Sequence, residues 1–336
     1  MLKLPWSSSN AGNENKDENP SEELPHRRAC CGRTRRFWLI LGMSAVLSVA
    51  AALGLGLGLG LGRGGSDGDG RSDSDSPSFV QPSGNSTTQG VNGTFWQPSA
   101  GASWQIVLQQ PLHSFTPNVS IFDIDLFENN ASIITQLHAM NAKVICYFSA
   151  GSYESFRPDT KDFNPLDYGN ELKGWPGEKW LDLRSPNVRA IMKKRLKLAA
   201  ELGCDGVDPD NVDGFVNDSG FPLTRQTALD FLNFLAAEAH ALKLAIGLKN
   251  AGDIVKDTTS LLQWVVNEQC VAFGECALFR PFIDEGKPVF HIEYISEKGN
   301  SDVSTRTRSE ICGVSDEAGF STLMKKADLG DWVEAC

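Results

Sequence analysis

The chain has 336 residues, of which 41% are hydrophobic, and this is enough to bury the core of one large domain. It carries 31 Lys and Arg residues against 42 Asp and Glu residues, a formal net charge of -11 at pH 7. This acidic surplus disfavours a nucleic-acid partner and favours a neutral or cationic ligand.

An uncharged apolar stretch occupies residues 37–62 and is long enough to cross a hydrocarbon core of about 30 Å at about 1.5 Å per residue. Arginines cluster before it, at positions 27, 28, 33, 35 and 36, whereas only Arg63 and Arg71 follow closely. The positive-inside rule therefore predicts one transmembrane helix with the N-terminus in the cytosol. A cleaved signal peptide is the alternative, but the stretch begins late and exceeds the usual apolar region.

The segments on either side of this predicted span differ in composition. Residues 1–36 are polar and mixed in charge, which predicts a disordered cytosolic tail, and residues 63–94 are rich in Gly, Ser and Asp, which predicts a flexible stalk. We therefore expect a single-pass type II plasma-membrane glycoprotein whose domain of residues 95–336 is extracellular. The N-glycosylation sequons, all of them after the span, begin at Asn85, Asn92, Asn118, Asn130 and Asn217.

From residue 95 onwards, short apolar runs alternate with helical patterns, which indicates βα units around a parallel sheet. Eight such strands predict a (β/α)8 TIM barrel, with an open doubly wound α/β sheet as the alternative. The predicted strands are Trp104–Gln109, Val119–Leu126, Lys143–Ser149, Trp180–Leu183, Cys204–Asp208, Leu244–Leu248, Trp264–Glu268 and Val289–Tyr294. The predicted helices are Ala131–Met140, Val188–Leu202, Thr224–Leu242 and Leu278–Glu285.

The cysteines after residue 62 suggest disulfide bonds and no metal site. Cys146 and Cys204 lie inside apparent strands and are expected to be buried free thiols. No CxxC pair or histidine cluster suggests a metal, and no cofactor is predicted. The pairs predicted to form disulfides are Cys270 with Cys276 and Cys312 with Cys336.

Polar residues collect where the predicted strands end, most clearly in CDGVDPDNVDG at residues 204–214. Asp208 and Asp210 share one strand parity and point to one face, where acids are costly to bury unless they line a polar pocket. An ordinary loop turn is the alternative. The candidate site residues are Asp123, Asp125, Tyr147, Asp208, Asp210, Asn211, Asp213, Lys249, Asn267, Glu268, Glu293 and Tyr294.

Two of these carboxylates suit the cleavage of a glycosidic bond. That reaction requires one group to stabilise or trap the cationic sugar centre and another to protonate the leaving oxygen. Asp210 ends its strand in a polar, charged run, which favours the ionised form, whereas Glu268 follows an apolar strand body, which favours the proton donor. These roles are open to exchange.

Eight strings are spread over nearly all of residues 95–300 in this order: FWQPSAGASWQIVLQQP, FDIDLFENN, VICYFSAGSYE, WLDLRSPNV, GCDGVDPDNVDG, IGLKNAGD, VVNEQC and VFHIEYI. Taken together, they resemble glycoside hydrolase family 114, the endo-α-1,4-polygalactosaminidases. The resemblance implies a metal-free (β/α)8 barrel that hydrolyses α-1,4-linked galactosamine polymers, with Asp210 and Glu268 as the catalytic pair and a retaining outcome. The order of the strings also resembles that of fungal members that are tethered to the membrane.

Deacetylated galactosamine carries an ammonium group, so the implied substrate is a cationic polysaccharide. Many sequences of this type have Glu at the position of Asp208, which leaves its role open between catalysis, ammonium binding and support. Two alternative functions are a surface lectin that binds the polymer without cutting it and an enzyme of the same fold that acts on another polysaccharide. Asp123, Asp125, Asp208 and Asp213 are predicted to bind ammonium groups, Tyr147 and Tyr294 to offer ring faces, and Lys249 to pair with a carboxylate.

Overall fold

The computed structural model describes residues 95–295 and 303–336. These residues form a barrel-like α/β fold of the TIM-barrel type. The strands, in chain order, are β1 (Trp104–Val107), β2 (Ile121–Asp125), β3 (Lys143–Ser149), β4 (Ser152–Glu154), β5 (Tyr168–Glu171), β6 (Glu178–Leu181), β7 (Gly206–Asp210), β8 (Ala245–Lys249), β9 (Trp264–Glu268), β10 (Val289–Tyr294), β11 (Ser321–Lys325) and β12 (Val333–Ala335). The α-helices are α1 (Ala131–Ala139), α2 (Pro186–Leu202), α3 (Arg225–Ala241), α4 (Val255–Thr258), α5 (Cys270–Phe273), α6 (Arg280–Asp284) and α7 (Thr305–Cys312).

The main sheet follows chain order, β1-β2-β3-β7-β8-β9-β10-β11-β12, and all its pairings except that of β12 are parallel. This order has no switch point, so the doubly wound alternative was wrong. The first and last parallel strands also meet: Trp104 Nε1 donates to Ser321 O at 2.8 Å, and Lys325 Nζ donates to Gln105 Oε1 at 2.9 Å.

Capping residues in the sequence set the starts and ends of the long helices. Ser185 accepts from the backbone N–H groups of Asn187 and Val188 at the start of α2, whose first residue is Pro186. The same helix ends at Gly203, where φ is 94°. These signals explain why the predicted and observed helix boundaries agree within a few residues here.

Two apolar layers hold the fold together. One lies between the sheet and its helices and includes Phe122, Phe148 and Phe231, all buried. The other fills the inside of the sheet, where Trp104, Trp264 and Phe290 are buried. Side chains alternate along a strand. A residue two positions away from one of these interior residues therefore also points towards the barrel axis.

One predicted strand does not belong to the barrel, and one barrel strand was not predicted. The segment Trp180–Leu183 was predicted as a barrel strand, but β6 pairs with β4 and β5 in a separate antiparallel sheet inserted between β3 and α2. The remaining barrel strand is β11, which the sequence analysis missed because its residues, STLMK, form only a short mixed run. The predicted helix Leu278–Glu285 also shortens to α6, with a 3-10 turn before it.

All six cysteines of residues 95–336 form disulfide bonds. Cys270–Cys276 and Cys312–Cys336 pair as predicted. The prediction of free thiols at Cys146 and Cys204 was wrong, because these two residues form a disulfide with a Cα–Cα distance of 6.0 Å. The pairing of β3 with β7 brings them together, although 58 positions separate them in the chain.

The membrane prediction is not tested by these residues. Within 95–295 and 303–336, no helix combines the length and the apolar character needed to span a bilayer. The predicted tail (1–36), span (37–62) and stalk (63–94) all lie outside the described residues.

Candidate active site

The candidate site lies at the carboxyl ends of neighbouring strands. Asp210 is the last residue of β7, Lys249 the last of β8 and Glu268 the last of β9. Each shares its parity with an interior residue of its strand, so all three point into the mouth of the barrel. Tyr147 of β3 and Tyr294 of β10 approach from the two sides.

Lys249 bridges the two carboxylates. Its Nζ lies 2.9 Å from Asp210 Oδ2 and 3.2 Å from Glu268 Oε2, and its side chain is only 2% exposed. Burial works to lower the pKa of Lys249, but the charges of Asp210, Glu268 and Asp208 outweigh it and raise the pKa well above its ordinary value. Lys249 is therefore a permanent cation beneath the pair.

Asp210 is held by donors from three directions. The Tyr147 hydroxyl donates to Oδ2 at 2.9 Å, and the backbone N–H of Asn211 donates to Oδ1 at 2.7 Å. Burial and the charge of Asp210 raise the pKa of Tyr147 well above its ordinary value, so the phenol stays protonated. Asn211 in turn donates to the hydroxyls of Ser149 at 2.7 Å and Ser152 at 3.1 Å. This network fixes the Asp210 carboxylate in one orientation.

Glu268 has a matching set of contacts. Asn250 Nδ2 donates to Oε2 at 3.0 Å, Asn250 Oδ1 accepts from the Glu268 backbone N–H at 2.8 Å, and the Tyr294 hydroxyl donates to Oε1. The apolar residues of β9 precede Glu268 in the strand, as expected. The carboxylate itself, however, contacts the polar groups of Asn250, Tyr294 and Lys249. The side chains of Asp210 and Glu268 are 16% and 18% exposed, so both are open to a substrate.

The residue after each of these three strands adopts a left-handed backbone conformation. The φ angles are 62° at Asn211, 50° at Asn250 and 66° at Gln269, and Ala251 also has a φ of 53°. Non-glycine residues pay a conformational cost there, and such outliers cluster at functional sites. The first three of these residues directly follow the strand ends that carry Asp210, Lys249 and Glu268.

Asp123 and Asp208 lie deeper in the barrel, and both are fully buried. Among the described residues, none donates a hydrogen bond to any of their four carboxyl oxygens. Burial and the charge of Asp208 raise the pKa of Asp123 well above its ordinary value, and burial raises the pKa of Asp208 to about 8. The structure therefore places these two predicted ammonium ligands below the carboxylate pair rather than beside it.

Two further predicted residues are near the mouth of the barrel but already have partners. Asp125 forms an ion pair with Arg157 at 2.7 Å and accepts from the backbone N–H of Phe127 at 2.8 Å. Asp213 lies in the loop after β7 beside Asn217, and burial followed by the charge of Asp210 raises its pKa to about 6.

Asn267 and Glu293 have the opposite strand parity to Glu268 and Tyr294, so they point towards the helical layer. Glu293 accepts from the backbone N–H of Val271 at 2.8 Å and lies 2.9 Å from His291 Nε2. Asn267 is 1% exposed. The structure does not bring these two predicted site residues into contact with the carboxylate pair.

The inserted sheet contributes a carboxyl group that the sequence analysis missed. Glu178 of β6 accepts from Ser152 Oγ at 3.3 Å, and burial followed by the charge of Glu154 raises its pKa to about 8. Arg157 binds Glu154 and Asp125 together. These residues stand in turns and short strands without periodicity, so no pattern in the sequence marked them.

One group of described residues has the spacing of a metal site. The ligand atoms of Cys270, Cys276 and His291 lie within 4.8 Å of one another. The two sulfurs are joined in a disulfide, however, and thiolates rather than disulfide sulfurs bind metal ions. This group therefore does not fit a metal in its oxidised form.

Comparison with known proteins agrees with this geometry. The family model described as glycoside-hydrolase family GH114 matches residues 85–336. The chain belongs to glycoside hydrolase family GH114. It is therefore a glycoside hydrolase, and the family expected from the sequence strings is confirmed. No curated protein sequence matches the chain.

Two solved structures extend the comparison. The crystal structure of Aspergillus fumigatus Ega3 in complex with galactosamine is 48% identical, covers 72% of this chain and 98% of its own, and has a TM-score of 0.71. The glycoside hydrolase domain of PelA from Pseudomonas aeruginosa is 12% identical, covers 69% of this chain and 98% of its own, and has a TM-score of 0.51. The second likeness concerns the fold alone.

Proposed function

We propose that this GH114 enzyme is an endo-acting hydrolase that cleaves α-1,4-galactosaminidic bonds in galactosamine-containing polysaccharides. The observation that carries the proposal is the pair of partly exposed carboxylates, Asp210 and Glu268, held on one buried lysine at the mouth of the barrel. The 48% identity to galactosamine-bound Ega3 supports galactosamine as the sugar.

The spacing of the pair supports a retaining mechanism. Because Lys249 Nζ is 2.9 Å from Asp210 Oδ2 and 3.2 Å from Glu268 Oε2, these two oxygens are at most about 6.1 Å apart, the sum of the two distances. Retaining glycosidases hold their carboxyl groups about 5 to 5.5 Å apart and inverting ones about 6.5 to 9.5 Å. Two oxygens this close are compatible with the retaining arrangement, and the anomeric configuration of the product decides between the two outcomes.

In this mechanism Asp210 attacks the anomeric carbon as Glu268 gives its proton to the departing glycosidic oxygen, and a glycosyl ester on Asp210 results. Glu268 then takes a proton from water, the water oxygen attacks the anomeric carbon, and the ester bond to Asp210 breaks. Tyr147 and Lys249 stabilise the Asp210 carboxylate in the free enzyme and when it departs.

A cationic substrate suits the surplus of carboxyl groups around the mouth. Besides the catalytic pair, Asp213 and Glu178 lie close enough to Asp210 for their charges to interact with it. Each has a raised pKa in the free enzyme, so a bound ammonium group would favour its ionised form. We expect partly deacetylated polymer to be bound more tightly than fully acetylated polymer.

The test is to incubate the purified full-length chain, in detergent, with partly deacetylated α-1,4-galactosamine polymer and to identify oligomers by mass spectrometry. Asp210→Asn and Glu268→Gln should each abolish cleavage while leaving the thermal unfolding transition in place. Glu201→Gln, at an exposed salt bridge on α2, is the matched control and should cleave normally.

Binding of the polymer without any oligomers would contradict the proposal and favour a lectin. Cleavage of acetylated or neutral polymers in preference to the deacetylated one would overturn the substrate assignment. Activity that survives in either variant would reject that carboxylate as catalytic. The anomeric configuration of the first product, followed by NMR, distinguishes retention from inversion.

We further propose that residues 37–62 anchor the enzyme in the plasma membrane with the hydrolase domain outside. Asn118, Asn130 and Asn217 are exposed, as glycan acceptors must be. In intact cells, externally added protease should remove the domain, and glycopeptides should map only to positions after residue 62. Protection of the domain from protease would reverse the proposed orientation.

A further inference from the structure

The buried acids Asp123 and Asp208 form an arrangement that the hydrolytic mechanism does not use. Asp123 stands on β2 and Asp208 on β7, the two strands that flank β3, and both point into the barrel. Both side chains are fully buried, and none of the described groups donates to their four oxygens. Two ionised carboxylates in such a place would lose their hydration without gaining a hydrogen-bond donor, and they would repel each other.

A single proton removes this difficulty. The two carboxyls lie within hydrogen-bonding reach of each other. If one of them is protonated, its O–H donates to the other, and each carboxyl gains a partner. The pair then carries one negative charge in place of two. The raised pKa values of both groups, caused first by burial, agree with retention of a proton at neutral pH.

The remaining negative charge lies near Lys249. The charge of Asp208 acts on Lys249 together with those of Asp210 and Glu268, so three carboxyl groups share one buried cation. Two tyrosines also face this cation, Tyr147 on β3 and Tyr294 on β10, and they bind Asp210 and Glu268. Asp125 on β2 is neutralised by Arg157.

We propose that Asp123 and Asp208 share one proton and act as a positioning pair, whose single negative charge keeps the Lys249 ammonium between Asp210 and Glu268. The inference rests on the proposed function for the identity of the reaction. It replaces the expectation that these two acids bind the ammonium groups of the substrate, and it makes them positioning residues with no contact to the sugar.

Asparagine substitutions separate these possibilities, because Asn reproduces a protonated Asp in shape and charge. In Asp208→Asn the amide donates to an ionised Asp123, so the charge beside Lys249 stays at one, and Asp123→Asn reverses the roles. We expect kcat to fall less than tenfold in each single variant. The double variant Asp123→Asn/Asp208→Asn has no charge there, and kcat should fall at least 100-fold.

Infrared spectroscopy detects the shared proton without reference to activity. The difference spectrum at pH 7 between the full-length chain and either single variant should show the C=O band of one protonated carboxyl, and the proton of Glu268 cancels because it is present in both proteins. The spectra are recorded in a Glu178→Gln background, because burial raises the pKa of Glu178 to about 8 and its carboxyl would contribute in the same region. Asp230→Asn, at an exposed position on α3, is the control and should leave the band unchanged.

Three results would overturn the positioning pair. One is the same infrared band in the wild type and both single variants, which would mean that neither acid holds the proton. Another is a tenfold rise in KM for deacetylated but not acetylated polymer in a single variant, which would restore a role in substrate binding. The last is a folded double variant that turns over as fast as the single variants. A double variant that fails to fold leaves the infrared comparison decisive, and wild-type cleavage tests the proposed reaction separately.

Discussion

Two tyrosines from opposite sides of the mouth each donate to one catalytic carboxylate. Tyr147 reaches Asp210 from β3, and Tyr294 reaches Glu268 from β10. A hydrogen bond to a charged group contributes about 1.5 to 3 kcal/mol, and leaving the partner unpaired in a partly buried site costs a similar amount. The phenolic hydroxyls therefore have a measurable share in turnover.

We expect Tyr147→Phe and Tyr294→Phe each to lower kcat about 10- to 100-fold, with little change in thermal stability. The ring remains in both variants, so the loss reports the hydroxyl alone. Steady-state kinetics on the galactosamine polymer measures the effect. Tyr168→Phe, in the inserted sheet, is the control and should retain full turnover; unchanged kcat in both test variants would contradict the assignment.

Glu178 gives the fold a predictable dependence on pH. Its pKa rises from an ordinary 4.5 to about 8 in the folded protein, mainly because of burial. The folded state therefore holds one more proton than the unfolded chain within that window, so the free energy of unfolding falls as pH rises from about 4.5 to about 8.

Glu178→Gln removes this group, and its free energy of unfolding should fall less steeply over the same pH window. At pH 8.5 we expect the variant to be the more stable protein by on the order of 2 kcal/mol. Urea denaturation at a series of pH values gives the measurement, with Glu201→Gln as the exposed control. Parallel curves for the variant and the wild type would be incompatible with a raised pKa at Glu178.

Much of the site could be predicted from individual residues because strand parity and strand ends are visible in the sequence. Asp210, Lys249 and Glu268 end three consecutive barrel strands, and the sequence places each at such an end. The burial of Asp123 and the occupation of Asp125 by Arg157 were not predictable. Both depend on which side chains from distant strands meet, and Arg157 lies in an irregular turn.

At the scale of elements, the Cys146–Cys204 disulfide links β3 to the segment just before β7, and the inserted sheet lies between the two cysteines in the sequence. Both cysteines belong to the apolar layer beneath the helices. The bond closes a stretch of 58 positions, much longer than the 24 of Cys312–Cys336. In the chain-entropy view, the longer loop restricts the unfolded state more strongly.

Replacing both Cys146 and Cys204 by Ala should lower the free energy of unfolding by about 2 to 4 kcal/mol. The matched control is the double Ala variant of Cys312 and Cys336, which should lose less because its loop is shorter. Urea unfolding under oxidising conditions compares the two. A larger loss in the control would show that the C-terminal bond matters more than the one beside the catalytic strand.

Strand prediction failed where the fold departs from a plain alternation of strands and helices. The run from Trp180 to Leu183 has the composition of a buried strand, but it pairs within the inserted sheet, and nothing local reports the pairing partner. Ser321–Lys325 is a true barrel strand with a lysine buried at its end. Its register with β10 depends on residues 31 positions away, so pattern alone did not reveal it.

For the whole molecule, β11 joins the two ends of the parallel sheet. It pairs with β10 on one side and contacts β1 through Trp104 and Lys325 on the other. Without it, the interior residues Phe290 and Ile292 would face solvent at an open edge. The residues after 312 are therefore part of the barrel and not an appendage.

Deletion of residues 313–336 should leave a chain without a cooperative unfolding transition, because it removes β11 and β12 together. Near-ultraviolet circular dichroism and size-exclusion chromatography measure the loss of fixed packing and the onset of association. Deletion of residues 331–336 alone keeps β11 and should still give a monomeric, folded protein. A monomeric, active product from the longer deletion would mean that β11 does not close the barrel.

The left-handed turns after the catalytic strands have a consequence for how the sequence evolves. A non-glycine residue in that conformation costs about 1 to 2 kcal/mol, and glycine at position 269 would recover part of it. Asn211 has less freedom, since its amide binds Ser149 and Ser152. A laboratory lineage selected for heat resistance should therefore acquire glycine at 269 while keeping asparagine at 211, whereas one selected for turnover should keep both residues.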